Sequence, residues 1–148
     1  MDALELLKTD HKNVKELFKK AEASKKPKQQ KQLFEQIKAE LETHTHIEET
    51  VFYPAIAKRE DLKDMVAESL EEHKQVKTLL REMESLASDS EKFEPKLKVL
   101  MENVEHHAVE EEEGKMFPKI RKIMNAASLE KLGKALEAAK PKNLRKAS

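Results

Sequence analysis

The chain predicts an all-α protein: an antiparallel up-down-up-down four-helix bundle with a short C-terminal helix. Three observations carry this. Lys, Glu, Leu and Ala are abundant while there are only 2 Gly and 5 Pro, so most residues lose little freedom in a helix. Apolar residues recur every three or four positions along four long segments. The breaks between those segments are short and polar, which makes sequential helices antiparallel neighbours.

The first segment is expected from Asp2 to Ala23, with Leu4, Leu7, His11, Val14 and Phe18 on one face. The stretch Ser24 to Lys28 ends it, because Pro27 disfavours helix at the residue before it. The second is expected over Gln29 to Lys58, burying Phe34, Ile37, Leu41, His44, Glu48, Val51 and Ala55. The third starts near Asp61 or Leu62, with Asp61 as its cap, and buries Val66, Ser69, His73, Val76, Leu80 and Met83. Ser88-Asp89-Ser90 breaks the pattern. The fourth begins near Lys92, with Pro95 tolerated in the first turn, and buries Leu97, Leu100, Val104, His107 and Glu111. A last helix over Ser128 to Ala139, capped by Ser128, precedes a basic tail from Lys140 to Lys146. Residues 1–126 thus form the bundle, and residues 127–148 a short helix and tail.

Charge and composition exclude several function classes. The formal net charge is +0, with no basic surplus to neutralise phosphates, so nucleic acid is not an expected partner. No apolar run reaches membrane length, and the start lacks the basic-then-apolar order of a signal peptide, so no membrane partner is expected. With no Cys there are no thiolate ligands or disulfides, which fits a cytoplasmic location. No phosphate loop or Ser-His-Asp arrangement offers another enzyme class.

The informative anomaly is titratable groups on core-facing stripes. An ionised carboxylate buried without a partner is costly, so buried charges are paired or bind metal. His11 and His73 stand singly on the first and third stripes. His44 with Glu48, and His107 with Glu111, stand one turn apart on the second and fourth, so each pair can face a common point. Four imidazoles and two carboxylates divide into two metal ions with two histidines each and two shared bridges. That donor set suits iron, manganese or zinc. His106 and Glu110 have the same spacing as His107 and Glu111, and only stripe continuity favours the latter. After the acidic run, Met116, Ile120 and Ile123 fall about one residue out of phase, a slip that a π-bulge near Gly114 would absorb. The chain also reads as two halves. His11, then His44 to Glu48, then Phe52-Tyr53-Pro54 is echoed by His73, then His107 to Glu111, then Phe117-Pro118.

The segments TDHKNVKELF, HTHIEETVFYPAI, EEHKQVKTLL and VEHHAVEEEEGKMFPKI resemble the hemerythrin-like (HHE cation-binding) domain family over about Leu4 to Lys122. The resemblance implies a non-haem diiron centre inside a four-helix bundle. Carried over, His11 and His44 would hold one iron, His73 and His107 the other. Glu48 and Glu111 would bridge them together with an oxo, hydroxo or water oxygen. Oxygen-carrying members have a further histidine where this chain has Lys77, so one fewer protein ligand and an open coordination position are implied. The long stem of Lys77 is expected to carry its ammonium away from the site. The expected function is binding or reduction of a small oxidant: oxygen, peroxide or nitric oxide. The alternative is storage, sensing or donation of iron without turnover.

Overall fold

The computed structural model describes residues 1–141, and among them all regular structure is helical. Helix α1 (Ala3–Ala23) opens on a capping box: the Asp2 carboxylate accepts from the Glu5 N–H at 2.9 Å, and the Glu5 side chain accepts from the Asp2 N–H. Pro27 is the first residue of α2 (Pro27–Ile47), where its missing N–H does no harm. A π-helical segment, π1 (Glu48–Phe52), and a last turn, α3 (Tyr53–Ile56), continue α2 as one rod. Helix α4 (Glu60–Glu84) comes next. The last long rod consists of α5 (Phe93–Glu105), π2 (His106–Met116) and α6 (Phe117–Ile123). The short α7 (Ala126–Ala139) packs against α1 and π1. No helix among the described residues is long and apolar enough to cross a membrane.

Two expected caps move. Helix α4 starts after Arg59, whose extended backbone makes no side-chain cap, and Asp61 lies in the first turn, where its charge favours the helix N-terminus. Helix α7 is capped by Asn125, whose side chain accepts from the Ser128 N–H at 2.8 Å, so Ser128 is inside the helix. Most of the basic tail lies outside the described residues.

The two π-segments correct the expected stripes. In π1 the Tyr53 N–H reaches back five residues to the Glu48 carbonyl, and in π2 the Phe117 N–H reaches back to Glu112. A wider turn takes up an extra residue and rotates the helix beyond it. The rod from α2 to α3 therefore buries Phe52, Tyr53 and Ile56, while Val51 is half-buried and Ala55 exposed. The core splits into two apolar clusters. One gathers Leu4, Leu7, Phe52, Ile56, Phe117 and Leu136. The other gathers Val14, Phe18, Phe34, Ile37, Leu80 and Phe93. His11 falls on α1 between Leu7 of the first cluster and Val14 of the second, which marks the layer that holds the polar site.

Helix α7 closes on the N-terminus through Gly133. A Cβ there would meet the Met1 carbonyl oxygen and lie 2.9 Å from the Asp2 carbonyl carbon. Gly133→Ala is expected to push α7 off α1 and destabilise the fold by about 1–3 kcal/mol, as overpacking does, despite the better helix propensity of Ala. Thermal unfolding measures this, and an unchanged or higher Tm would show that the close approach is not maintained in solution.

Candidate metal centre

The bundle centre brings together one imidazole from each of its four long rods. His11, His44, Glu48 and Glu112 turn donor atoms to within 4.8 Å of one another, and Glu48, His73 and His107 do the same. The histidines meet in pairs through their Nε2 atoms, 3.2 Å apart for His11 and His44 and 3.1 Å for His73 and His107. Both glutamates lie between the pairs. Glu48 Oε1 is 3.3 Å from His44 Nε2 and 3.0 Å from His73 Nε2. Glu112 Oε1 is 3.1 Å from His11 Nε2, and its Oε2 is 3.4 Å from His107 Nε2. Both are fully buried.

Behind each imidazole stands a carboxylate on Nδ1. Asp10 meets His44 at 3.0 Å, Glu49 meets His73 at 2.7 Å, Glu72 meets His107 at 2.7 Å and Glu113 meets His11 at 2.6 Å. Such a partner accepts a hydrogen bond from Nδ1–H and turns the bare Nε2 lone pair inward. Two bare lone pairs about 3 Å apart repel unless a cation or a proton lies between them. Two buried carboxylate oxygens, Glu48 Oε2 and Glu112 Oε1, also have no hydrogen-bond donor. This donor set fits metal cations, which would satisfy all these groups at once.

Without a cation, protons take that role. Burial opposes charge on His44, but Glu48 and Asp10 outweigh it and raise its pKa to about 10. Burial likewise opposes charge on His107 and His11, and neighbouring carboxylates, Glu112 foremost, raise both. Burial alone would raise Glu48, yet the His44 charge and the surrounding donors hold it well below the usual carboxylate range. Tyr53 completes the inner layer. Its hydroxyl donates to Glu112 Oε2 at 2.5 Å and lies 3.2 Å from Glu48 Oε1. Burial, then the charges of Glu112 and Glu48, push its pKa well above the usual value, so it remains a phenol and a donor.

Five of the six expected site residues, His11, His44, Glu48, His73 and His107, meet here, and the sixth does not. Glu111 is turned away from the cluster toward Lys115, 3.2 Å from its Nζ, and Glu112 takes the inward place. The reason is the π-winding of residues 106–116, which brings the residue five after His107 onto its face, where an α-helix would bring the fourth. His106 is exposed, with Nδ1 on Glu110 at 2.7 Å, so that pair lies outside the cluster. Lys77 does not simply lean away from the site. Its Nζ grips both oxygens of Glu49, at 2.9 and 2.8 Å, and so braces the carboxylate behind His73.

Tyr53 and the four outer carboxylates are not individually evident in the sequence pattern. Each carboxylate adjoins an inner residue in the chain: Asp10 beside His11, Glu49 beside Glu48, Glu72 beside His73, Glu113 beside Glu112. Adjacency is the available signal, since a helix neighbour lies on the flank of the same face. The wiring repeats between the halves of the chain. The acid before each α1 or α4 histidine serves the histidine of the next rod, and the acid after each inner glutamate serves the histidine of α4 or α1. The repeat breaks at Tyr53, whose counterpart is Phe117, stacked at 6.3 Å on the His11 ring.

Residues 2–120 match the hemerythrin HHE cation-binding domain. The fold is similar to the crystal structure of a hemerythrin HHE cation-binding domain-containing protein from Mycobacterium kansasii, with a TM-score of 0.82 and 28% identity, covering 99% of this chain and 89% of that one. A protein described as a DNA nickase from Nostoc is 28% identical over 142 residues, which are 96% of this chain and 40% of that protein. A hemerythrin-like protein of Schizosaccharomyces pombe is 37% identical over 76 residues, 50% of this chain and 37% of its own length. The chain thus spans at most about two fifths of these curated relatives. With a match over most of its length and a buried cluster of His and Glu at its centre, the chain belongs to the hemerythrin HHE cation-binding family.

Proposed function

We propose that this chain is a non-haem diiron protein that binds or reduces a small oxidant such as oxygen, peroxide or nitric oxide. In this reading His11 and His44 would hold one ion, His73 and His107 the other, and Glu48 and Glu112 would serve both. Iron bound there supplies one-electron redox changes and a coordination position for a small ligand.

One observation carries the choice of a small ligand. A cavity of about 20 Å³ touches all four imidazoles and is otherwise walled largely by Val14, Leu41, Val76, Val104 and Ala108. That is room for about one water-sized molecule. Its apolar walls offer little to a large or strongly hydrated anion. A broader groove of about 510 Å³ between α1 and the last long rod, edged by Lys8, Lys12 and Lys15, ends at His11 and Glu113. Since His11 lines both spaces, it is the natural point of entry.

The chain's own groups have clear tasks. The outer carboxylates hold each ring in one tautomer and orientation. Tyr53 donates its hydroxyl proton to Glu112 and stands beside Glu48, which holds the two inner carboxylates in place. Metal analysis of protein expressed in iron-replete cells is expected to give two irons per chain, with near-ultraviolet absorption in the oxidised form. Stopped-flow mixing of the reduced protein with each oxidant then identifies the ligand. One metal per chain, or zinc alone, would sink the diiron reading. Iron release without reaction would favour storage or donation.

A further inference from the structure

One buried cation takes no part in that chemistry. Lys140, at the C-terminal end of α7, reaches into the bundle and places Nζ 2.7 Å from Asp10 Oδ1. Both side chains are nearly sealed from solvent, 3% and 4% exposed. The other oxygen of Asp10 accepts from His44 Nδ1. A continuous chain of contacts thus runs from the last helix through Asp10 to an inner imidazole.

This link differs from the others around the site. Lys77 behind Glu49 is 42% exposed and can be replaced by water. Glu72 and Glu113 are themselves 16% and 28% exposed. Asp10 is sealed, so loss of the Lys140 ammonium would leave a buried carboxylate leaning on His44. Lys140 can reach Asp10 only while α7 is docked. Docking in turn depends on Leu129 and Leu136 in the apolar cluster, on the close approach at Gly133 and on the N-terminal ammonium against Glu130 at 3.2 Å.

We propose that Lys140 is a positioning residue that latches His44 through Asp10, so that docking of the C-terminal helix controls retention of one of the two ions. This role rests on the diiron reading. The coupling is reciprocal: whatever holds His44 in place also holds α7 down. Undocking α7 lets Asp10 turn toward water and frees the His44 ring, while His73 and His107, tied to Glu49 and Glu72, keep their places.

The test compares wild type, Lys140→Met and Lys140→Arg, loaded with ferrous iron and challenged with a chromogenic chelator. Lys140→Met should release half of its iron about 10–100-fold faster, the usual effect of losing a ligand's hydrogen-bonded support, and the other half at the wild-type rate. Lys140→Arg should restore slow release. Hydrogen exchange in α7 should slow on metal loading in wild type and not in Lys140→Met. If Lys140→Met does not fold, Asp10→Asn tests the same link and should give the same two-phase release. Equal release of both ions, with α7 protected as in wild type, overturns the proposal. If wild type takes up no iron, the diiron reading falls, and the latch is judged on the metal-free protein. There Lys140→Met must shift the ring nitrogen signals of His44 and leave those of His73 in place.

Discussion

Glu48→Ala and Glu112→Ala are each expected to abolish binding of both ions, whereas Glu111→Ala leaves metal content at the wild-type level. Each of the first two carboxylates lies between the histidine pairs, so in the proposed diiron site removing either would take a ligand from both ions. The residual site is a set of imidazoles whose lone pairs face each other with one carboxylate between them. Glu111 ties Lys115 and approaches His106 at 3.7 Å, both outside the cluster, and its removal should change stability by no more than about 0.5 kcal/mol. Quantitative metal analysis of the three variants, with circular dichroism to establish folding, decides the matter. Retention of iron by Glu112→Ala and its loss in Glu111→Ala would mean that residues 106–116 are wound as an α-helix in solution.

Removing the metal should lower the melting temperature substantially without unfolding the bundle. Each ion held at a thousandfold excess over its dissociation constant stabilises the fold by about 4 kcal/mol, which in a domain of this size is on the order of 10–15 °C per ion. The two apolar clusters do not depend on the site, so the metal-free protein should stay helical. The gap should also depend on pH. In the metal-free fold His11, His44 and His107 are held protonated above their ordinary range, His44 to about 10. A raised folded pKa gives stability that is full below about pH 6.5, the unfolded value, and is lost as pH rises through the folded value. The same protons compete with metal. Raising the pH from about 6 to about 9 should therefore weaken the metal-free protein and tighten metal binding, widening the difference in Tm. A metal-free Tm equal to the loaded one across that range would show that the cluster does not hold cations in the folded state.

The bundle, its four long helices and five of the six inner residues are legible in the sequence because all depend on one period. Leu4, Leu7, His11, Val14 and Phe18 keep to 3.6 residues per turn, and α1 is regular throughout. Glu112 escapes that logic where the period fails. The slip of Met116 and Ile120 betrays the extra residue, but not on which side of the acidic ligand the helix widens. The wide turns already begin between His107 and Glu112 and continue to Met116, so the inner acid moves one place along the run of four glutamates. Asp10, Glu49, Glu72 and Glu113 are obscured for another reason. In a chain with 29 acidic residues, a carboxylate at the margin of a stripe looks like solvated surface until the partner rod is in place. Lys140 is hidden most completely, since its partner lies almost the whole length of the chain away.

The widened turns also bear on how such a site can change over generations. His44 and Glu48 are four apart, while His107 and Glu112 are five apart, yet both pairs meet the same cluster. A single-codon insertion in an ordinary helix would swing every later side chain by about 100° and dismantle the core. Here the last long rod carries one residue more than the second rod between its imidazole and its carboxylate, and Phe117 and Ile120 still reach the apolar cluster. The π2 segment thus acts as a tolerant joint, where five-residue spacing of the inner groups is accommodated while the packing on either side stays in register.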